Sequence, residues 1–179
     1  MSAPDIFHRY ILPLEVVIRG THEDDLEELE WCGLFTHHRE LIREAYERQE
    51  RGEVVMLLAE VNGFPVAQAW VDLRRRAAAA AGFIWAVRVN PLFRSQGIGS
   101  RVLTEAEEVI RASGLQAAEL GVEKDNPGAR NLYERAGYRV LRSAYEEYEY
   151  TDAGGERALI PVNQWIMRKP LNREDRRAG

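Results

Sequence analysis

A short loop with two glycines, Arg94-Ser95-Gln96-Gly97-Ile98-Gly99, has the residue types of a phosphate-binding site. It lies where an apolar, strand-like run ends and an amphipathic helix pattern begins. Two glycines two positions apart let backbone N–H groups approach one point, and the N-terminus of the following helix adds partial positive charge there. The chemistry predicted for this loop is therefore the binding of a phosphate group.

The elements that must position this loop alternate between strand and helix patterns. The predicted strands are Leu14–Arg19, Val54–Val61, Pro65–Leu73, Phe83–Val89, Gln116–Val122, Tyr138–Leu141 and Gln164–Arg168. The predicted helices are Glu23–Glu30, Thr36–Arg51, Ile98–Ser113 and one that opens at Asn126-Pro127 and closes at Gly137. Hairpin-connected strands come first and strand–helix–strand units follow, which predicts a mixed α/β sheet. We expect one domain over residues 1–170 and a polar tail over 171–179.

Composition narrows the class of partner. The chain has 179 residues, of which 45% are hydrophobic and 30% charged, with a net charge of −5. This charge disfavours nucleic-acid binding, which needs clustered Lys and Arg. The single cysteine, Cys32, excludes an internal disulfide, matches no zinc pattern and is expected to be a small buried apolar residue. No metal site is predicted. Without a signal-like N-terminus or a membrane-length apolar run, the expected compartment is the cytoplasm.

Two common phosphate motifs do not fit the loop. The dinucleotide fingerprint needs a third glycine or small residue, but Ser100, Arg101 and Val102 follow Gly99. The P-loop spacing is also missing. What remains is R-x-x-G-x-G after a strand that ends in Val87-Arg88-Val89-Asn90-Pro91.

Two segments together resemble the GNAT superfamily of acetyl-CoA-dependent N-acetyltransferases. The first is Val87 to Gly99, similar to the family's strand, pyrophosphate loop and helix. The second is Asn126 to Tyr138, similar to the pattern N-x-x-A-x-x-L-Y-x-x-x-G-F/Y. The resemblance implies a mixed, largely antiparallel sheet flanked by helices, with acetyl-CoA as co-substrate.

The resemblance also implies which residues bind the cofactor. The amides of Gln96, Gly97, Ile98, Gly99 and Ser100 would hold the pyrophosphate, within the loop that includes Ser95, and Arg94 would add a charged contact. In this family the strand before the loop splays from its neighbour, so the main chain of Val87, Arg88 and Val89 would pair with the pantetheine arm. Asn126 is predicted to cap its helix, and the resemblance adds a cofactor contact.

Tyr133 is the predicted catalytic residue. Acyl transfer from a thioester leaves a thiolate, and a phenol within hydrogen-bond reach of the sulfur can protonate it. The other interpretation is a tyrosine that packs beside Leu132 in the core. Because Cys32 lies far from both motifs and matches no nucleophile position, the predicted route is direct attack by the amine in a ternary complex.

The general base is not identified by the motifs. The positions where relatives carry a glutamate read Phe83-Ile84-Trp85 and Gly121 here. Glu119 and Glu123 flank Gly121 on one strand face and are candidates, although each is more typical of a solvated strand residue. Weaker candidates are Glu60 and Asp72 on the hairpin strands, and His37 and His38 fit surface positions as well as an acceptor pocket.

The acceptor is indicated only by the acidic, aromatic segment Tyr145–Tyr150. This segment fits either a site for a cationic amine or an exposed strand of alternating tyrosines and glutamates. The predicted substrate is a primary amine of a small molecule or peptide, and the exposed strands near the end of the chain favour a homodimer. Two other functions stay open: an acyl-CoA sensor without turnover, and a nucleotide-phosphate binder.

Overall fold

A computed structural model describes residues 13–151 and 157–171. The strands are β1 (Val17–Gly20), β2 (Val54–Val61), β3 (Phe64–Asp72), β4 (Ala81–Val89), β5 (Ala117–Glu123), β6 (Arg139–Thr151) and β7 (Arg157–Pro170). The α-helices are α1 (Arg39–Glu50), α2 (Ile98–Ala112) and α3 (Pro127–Arg135). Short 3-10 turns cover Glu23–Asp25, Glu28–Glu30, Thr36–His38, Ala77–Ala79 and Pro91–Phe93.

The strands form one sheet in the order β1-β2-β3-β4-β5-β7-β6. Strands β4 and β5 pair parallel, and every other neighbouring pair described is antiparallel. The predicted mixed and largely antiparallel sheet is therefore confirmed. The Asn62-Gly63 turn joins β2 to β3 with both residues at positive φ, 52° and 82°, as a tight two-residue hairpin requires.

Hydrophobic clusters cover both faces of the sheet. On the face that we call the α2 face, the buried side of α2 packs on alternate residues of β3, β4 and β5, among them Ala69, Ile84 and Leu120. On the opposite α1 face, Ile42 and Ala45 of α1 pack with Leu58 and Trp70. Side chains alternate between the two faces of a strand, so neighbouring residues such as Ala69 and Trp70 belong to different clusters.

The helix predicted over Glu23–Glu30 is wrong, since two 3-10 turns occupy that segment. The chain leaves helical geometry at Trp31 and Cys32, whose φ angles are 47° and 55°, and Gly33 follows at 95°. Cys32 is exposed on this turn, so its predicted burial is also wrong. The neighbouring Trp31 is buried in its place.

Strands β6 and β7 are much longer than their predicted cores. They pair from Arg139 with Arg168 to Thr151 with Arg157, and this segment includes the acidic, aromatic run. Pairing with β7 holds these residues of β6 in a strand, although their own sequence pattern does not indicate a buried face. Strand β6 lies at an edge of the sheet and exposes Leu141 and Tyr145. The homodimer stays a prediction.

The last described residue, Leu171, packs with the domain. Leu171, assigned above to the tail, is buried and donates its N–H to the Gln116 carbonyl at 2.8 Å. Residues 1–12, the segment 152–156 and the rest of the tail, 172–179, lie outside the described residues. In the described part of the chain no helix is long and apolar enough to cross a membrane.

Candidate active site

The sheet splits between β4 and β5. The two strands pair only from Ala81 with Ala117 to Ile84 with Leu120, although β4 continues to Val89 and β5 to Glu123. The pairing ends where β4 contains a bulge: the register with β3 shifts between Gln68 and Trp70, and Ala86 has a φ of 51°. Because a bulge bends its strand, β4 leaves β5, and the unpaired strand ends border a gap.

Main-chain groups of β4 line this gap. Val89 lies opposite Ala67 of β3, and the N–H of the next residue, Asn90, donates to the Val66 carbonyl at 2.8 Å. In an antiparallel ladder this makes Ala67 and Val89 a non-hydrogen-bonded pair, so the N–H and C=O of Val89 point away from β3. Val87 shares the side-chain face of Val89 and has no pairing partner on β3, because the bulge begins at the preceding residue. The main chain of Arg88 points to β3, which differs from the prediction that Arg88 would also pair with a ligand.

The glycine loop leads directly into α2. Gly97 is the N-cap residue with a φ of 81°, a left-handed conformation that glycine adopts without steric cost. The N–H groups of Ile98, Gly99 and Ser100 lie in the first turn, where no intrahelical acceptor exists. The preceding residues Ser95 and Gln96 are exposed. This end of α2 presents N–H groups and partial positive charge to an anion.

Arg94 is held against the end of β4. Its Nε donates to the carbonyl oxygen of Val89 at 3.1 Å, and its side chain is otherwise exposed. The loop is thereby fixed beside the main chain that lines the gap. The other guanidinium nitrogens are available to an anion at the end of α2.

The two sequence motifs meet at Gly99. A Cβ added there would lie 3.2 Å from Cγ2 of Val89 and 3.9 Å from Cδ2 of Leu132. The first turn of α2 therefore contacts both the unpaired end of β4 and α3. The next residue of α3 is Tyr133, which belongs to the same buried cluster as Ile98 and Val102 of α2.

Tyr133 is buried, with 5% of its surface exposed, and its ring packs edge-on against Tyr138 at 6.1 Å. Burial raises the pKa of its phenol to about 12, because a phenolate is poorly solvated there. The hydroxyl therefore stays protonated at neutral pH and is available as a proton donor. Packing in the core and a role in proton transfer are compatible for this residue.

Asn126 is the N-cap of α3, as predicted. Its Oδ1 accepts a hydrogen bond from the N–H of Ala129 at 3.0 Å, and Pro127 is the first helical residue. The contact of Asn126 with a cofactor stays a prediction. Cap and proline together set where α3 begins and hence where Tyr133 lies.

Three of the four candidate carboxylates form ion pairs. Glu60 pairs with Arg19 at 2.6 Å, Asp72 with Arg48 at 2.7 Å, and Glu119 with Arg168 at 2.6 Å. Asp72 also accepts the N–H groups of Arg74 and Arg75, and these contacts hold its pKa below the usual value although its burial opposes them. A carboxylate stabilised in this way is a poor base.

Glu123 differs from these three. It is exposed at the end of β5, beyond the segment that pairs with β4, on the α1 face. Gly121, two residues earlier on the same face, has no room for a side chain, since a Cβ there would collide with Oε1 of Gln164. A carboxylate at position 121 would need Gln164 to move.

His37 and His38 lie on the α1 face next to the side chain of Arg88, for which the sequence predicted no role. His38 stacks on Phe35, and the guanidinium of Arg88 lies over the same ring, 4.6 Å from its centre. Burial, with the charges of Arg88 and His37, lowers the pKa of His38 to about 4, so His38 is neutral at pH 7. Arg88 was predicted only through its main chain. Its alternation with Val87 and Val89 was the signal that its side chain lies on the opposite face.

In residues 13–151 and 157–171 no group of His, Cys, Asp or Glu is arranged to hold a metal ion. The groups that border the gap are main-chain amides of β4 and the carboxylate of Glu123 at the end of β5, and the buried Tyr133 lies on α3. Chemically, N–H groups at the end of α2 can bind an anion, and a phenol or a carboxylate can transfer a proton.

Comparison with known proteins shows the family and the fold of the chain. The split, largely antiparallel sheet is the mixed α/β class of fold that the resemblance implies. The chain belongs to the acetyltransferase (GNAT) family, whose model matches residues 22–138.

The chain is similar to mycothiol acetyltransferase of Beutenbergia cavernae, with 40% identity over 60 residues. That match covers 34% of this chain and 20% of the relative. The fold resembles a ribosomal-protein-alanine N-acetyltransferase from Brucella melitensis, with a TM-score of 0.69 and 21% identity over 87% of this chain and 99% of that one. It also resembles the yncA protein of Salmonella typhimurium, solved with its cofactor acetyl-CoA (TM-score 0.68, 16% identity, 89% and 96% covered).

Proposed function

We propose that this protein transfers an acetyl group from acetyl-CoA to a primary amine by direct attack in a ternary complex. The observation that carries the proposal is the meeting of three elements at Gly99: the unpaired end of β4, the first turn of α2 and the helix of Tyr133. The names of two similar proteins, one a mycothiol and one a ribosomal-protein-alanine acetyltransferase, support a small-molecule or peptide acceptor.

The residues that would hold coenzyme A lie on the α2 side of the gap. The N–H groups from Gln96 to Ser100, with Arg94, suit a pyrophosphate. The N–H and C=O groups of Val87 and Val89 suit the amides of an extended arm, as an added strand does. The acetyl thioester supplies an activated carbonyl.

The proton transfers are assigned to two side chains on opposite sides of the gap. Glu123 takes a proton from the amine, which cannot attack while it is protonated. The amine nitrogen then forms a bond to the acetyl carbon, and the bond from that carbon to sulfur breaks. Tyr133 donates a proton to the departing sulfur, and the nitrogen loses its second proton to the resulting phenolate, directly or through water. The products are an amide and a thiol, with Tyr133 protonated again.

Thiol release from acetyl-CoA across a panel of amines tests the proposal. We expect release that depends on both substrates, reaches one thiol per amide formed and is competed by coenzyme A. A protein that binds acetyl-CoA but releases no thiol with any amine would instead be an acyl-CoA sensor. Competition by ATP or NAD, without competition by coenzyme A, would indicate a nucleotide-phosphate binder.

A further inference from the structure

Arg88 is a half-buried cation without an anionic partner among residues 13–151 and 157–171. Its Nη1 is buried and makes no hydrogen bond there, and its guanidinium contacts the ring of Phe35. Arg19, Arg48 and Arg168 by contrast each pair with a carboxylate. An unpaired, partly desolvated guanidinium is costly and is suited to an anion from outside.

Gln68 lies directly opposite Arg88 and is also unsatisfied. The two residues are cross-strand partners on β3 and β4, so their side chains share the α1 face at close range. Gln68 is fully buried, and neither Oε1 nor Nε2 has a hydrogen-bond partner in the described residues. Nε1 of Trp85, on the same face of β4, is buried and unpartnered as well. We call Gln68, Trp85 and Arg88 the Arg88 cluster.

The buried acids around the cluster have partners, and the exposed Glu123 is the carboxylate on this face of β5 for which no ion pair is described. On the elements packed against this face, Glu30 pairs with Arg39, Asp72 with Arg48 and Glu119 with Arg168. Burial alone lowers the pKa of the Arg88 guanidinium to about 10, so it stays charged at pH 7. The neighbouring His38 is neutral at that pH. The cluster therefore presents one positive charge and several N–H donors.

The position of the cluster links it to the gap. Arg88 precedes Val89, whose main chain points into the gap, and Glu123 lies on the same face at the end of β5. A ligand held by Arg88 from the α1 face would approach the gap from the side opposite to α2. This is the side left for the second substrate when the first occupies the end of α2.

We propose that the acceptor is an amine that also carries a carboxylate, which the Arg88 cluster binds. The half-buried Arg88 guanidinium, beside the fully buried Gln68, donates hydrogen bonds to the carboxylate, and the amine is left to face the gap. The proposal rests on the acetyl transfer proposed above and adds a substrate class to it. Two sources share this chemistry: a free amino acid, through its α-carboxylate, and a peptide whose N-terminal side chain is acidic.

Matched acceptors test the proposal and distinguish the sources. The common amino acids are each compared with their amides, and amidated peptides beginning with Glu are compared with the same peptides beginning with Gln. We expect at least about a tenfold preference in kcat/KM for the carboxylate member of one of these sets. The set that shows the preference identifies the source.

Two variants of Arg88 test whether this residue causes the preference for acceptors that carry a carboxylate. In Arg88→Met we expect it to disappear while thiol release with the neutral acceptors continues, and in Arg88→Lys we expect a smaller preference to remain, because charge is kept without the planar fork. Arg74→Met, which removes an exposed arginine from the β3–β4 connection, should keep the full preference. The ratio between matched acceptors is insensitive to a general loss of folded protein.

Binding separates this proposal from the proposed function. Calorimetry of the preferred acceptor and its amide with coenzyme A-loaded protein needs no turnover. Tighter binding of the carboxylate form that depends on Arg88, without thiol release, would support the site and contradict the transferase. Turnover with equal kcat/KM for both members of every pair, or a preference that survives in Arg88→Met, would overturn the site alone.

Discussion

The two faces of the split sheet present different kinds of atoms to the gap. On the α2 face the groups that suit a ligand are main-chain N–H and C=O groups of β4, the glycine loop and the first turn of α2. On the α1 face they are side chains: Gln68, Trp85, Arg88 and Glu123. Main-chain groups are fixed by backbone geometry, whereas side chains differ among proteins of one fold. We infer that the α2 face serves a cofactor common to the family and that the α1 face determines the acceptor.

The largest expected effect is at Tyr133, in the cluster of the α2 face. In Tyr133→Phe we expect kcat to fall by about 10²-fold or more, as for the loss of a general acid, while the dissociation constant of coenzyme A stays within a factor of about two. Steady-state kinetics and calorimetry measure the two quantities. Tyr138→Phe, which removes the hydroxyl of the buried ring packed against Tyr133, is the matched control and should keep kcat near wild type.

Alkaline pH offers a second check on Tyr133. The folded pKa of about 12 lies above the value near 10 of an unfolded tyrosine, so the unfolded chain loses this proton first. The contribution of Tyr133 to stability is therefore complete below pH 10 and falls as the pH rises toward 12. Equal kcat in Tyr133→Phe and wild type would show that the hydroxyl serves packing alone.

The next effect belongs to the α1 face. In Glu123→Gln we expect kcat to fall by roughly tenfold to a hundredfold, because the amine keeps its proton, without a change in coenzyme A affinity. The deficit should narrow as the assay pH rises, since more of the amine then arrives unprotonated. Glu105→Gln, at an exposed position of α2, is the control. A deficit that is the same at every pH would contradict a role in proton removal.

The difference between the faces also explains what the sequence predicted. The α2 face was predictable because a left-handed N-cap requires Gly97, close contact favours Gly99, and Asn126-Pro127 begins α3 at a fixed distance from Tyr133. These requirements are local, so they appear as motifs. The start of α1 was predicted early only because a 3-10 turn, Thr36–His38, precedes it.

The α1 face was missed because its residues are joined by register. Gln68 and Arg88 become neighbours only through the pairing of β3 with β4, and that pairing depends on the bulge at Ala86. Alanine is not one of the residue types that indicate a positive φ. The bulge at Ala86 could therefore not be predicted from the residue type. The candidate bases were similarly ambiguous, since Glu60, Asp72 and Glu119 acquire arginine partners from distant strands and helices.

The smallest expected effect is at Ser100, on the α2 face. There a substitution should change coenzyme A affinity without lowering the stability of the protein. Ser100 is exposed in the first turn of α2, where a negative side chain favours the helix by about 0.3–1 kcal/mol. The same charge would repel a pyrophosphate held by the neighbouring N–H groups. For Ser100→Glu we therefore expect a free energy of unfolding equal to or above wild type, and coenzyme A affinity lowered about tenfold.

Thr104→Glu provides the matched charge one turn further along α2, at a position that is also exposed. The effect of a helix terminus falls off within its first turn, so this variant should weaken coenzyme A binding less than Ser100→Glu. Preference between matched acceptors should be unchanged in both variants, because the Arg88 cluster lies on the other face. Equal weakening by the two glutamates would point to the net charge of the protein instead of the end of α2, and a changed acceptor preference would contradict the division of labour between the faces.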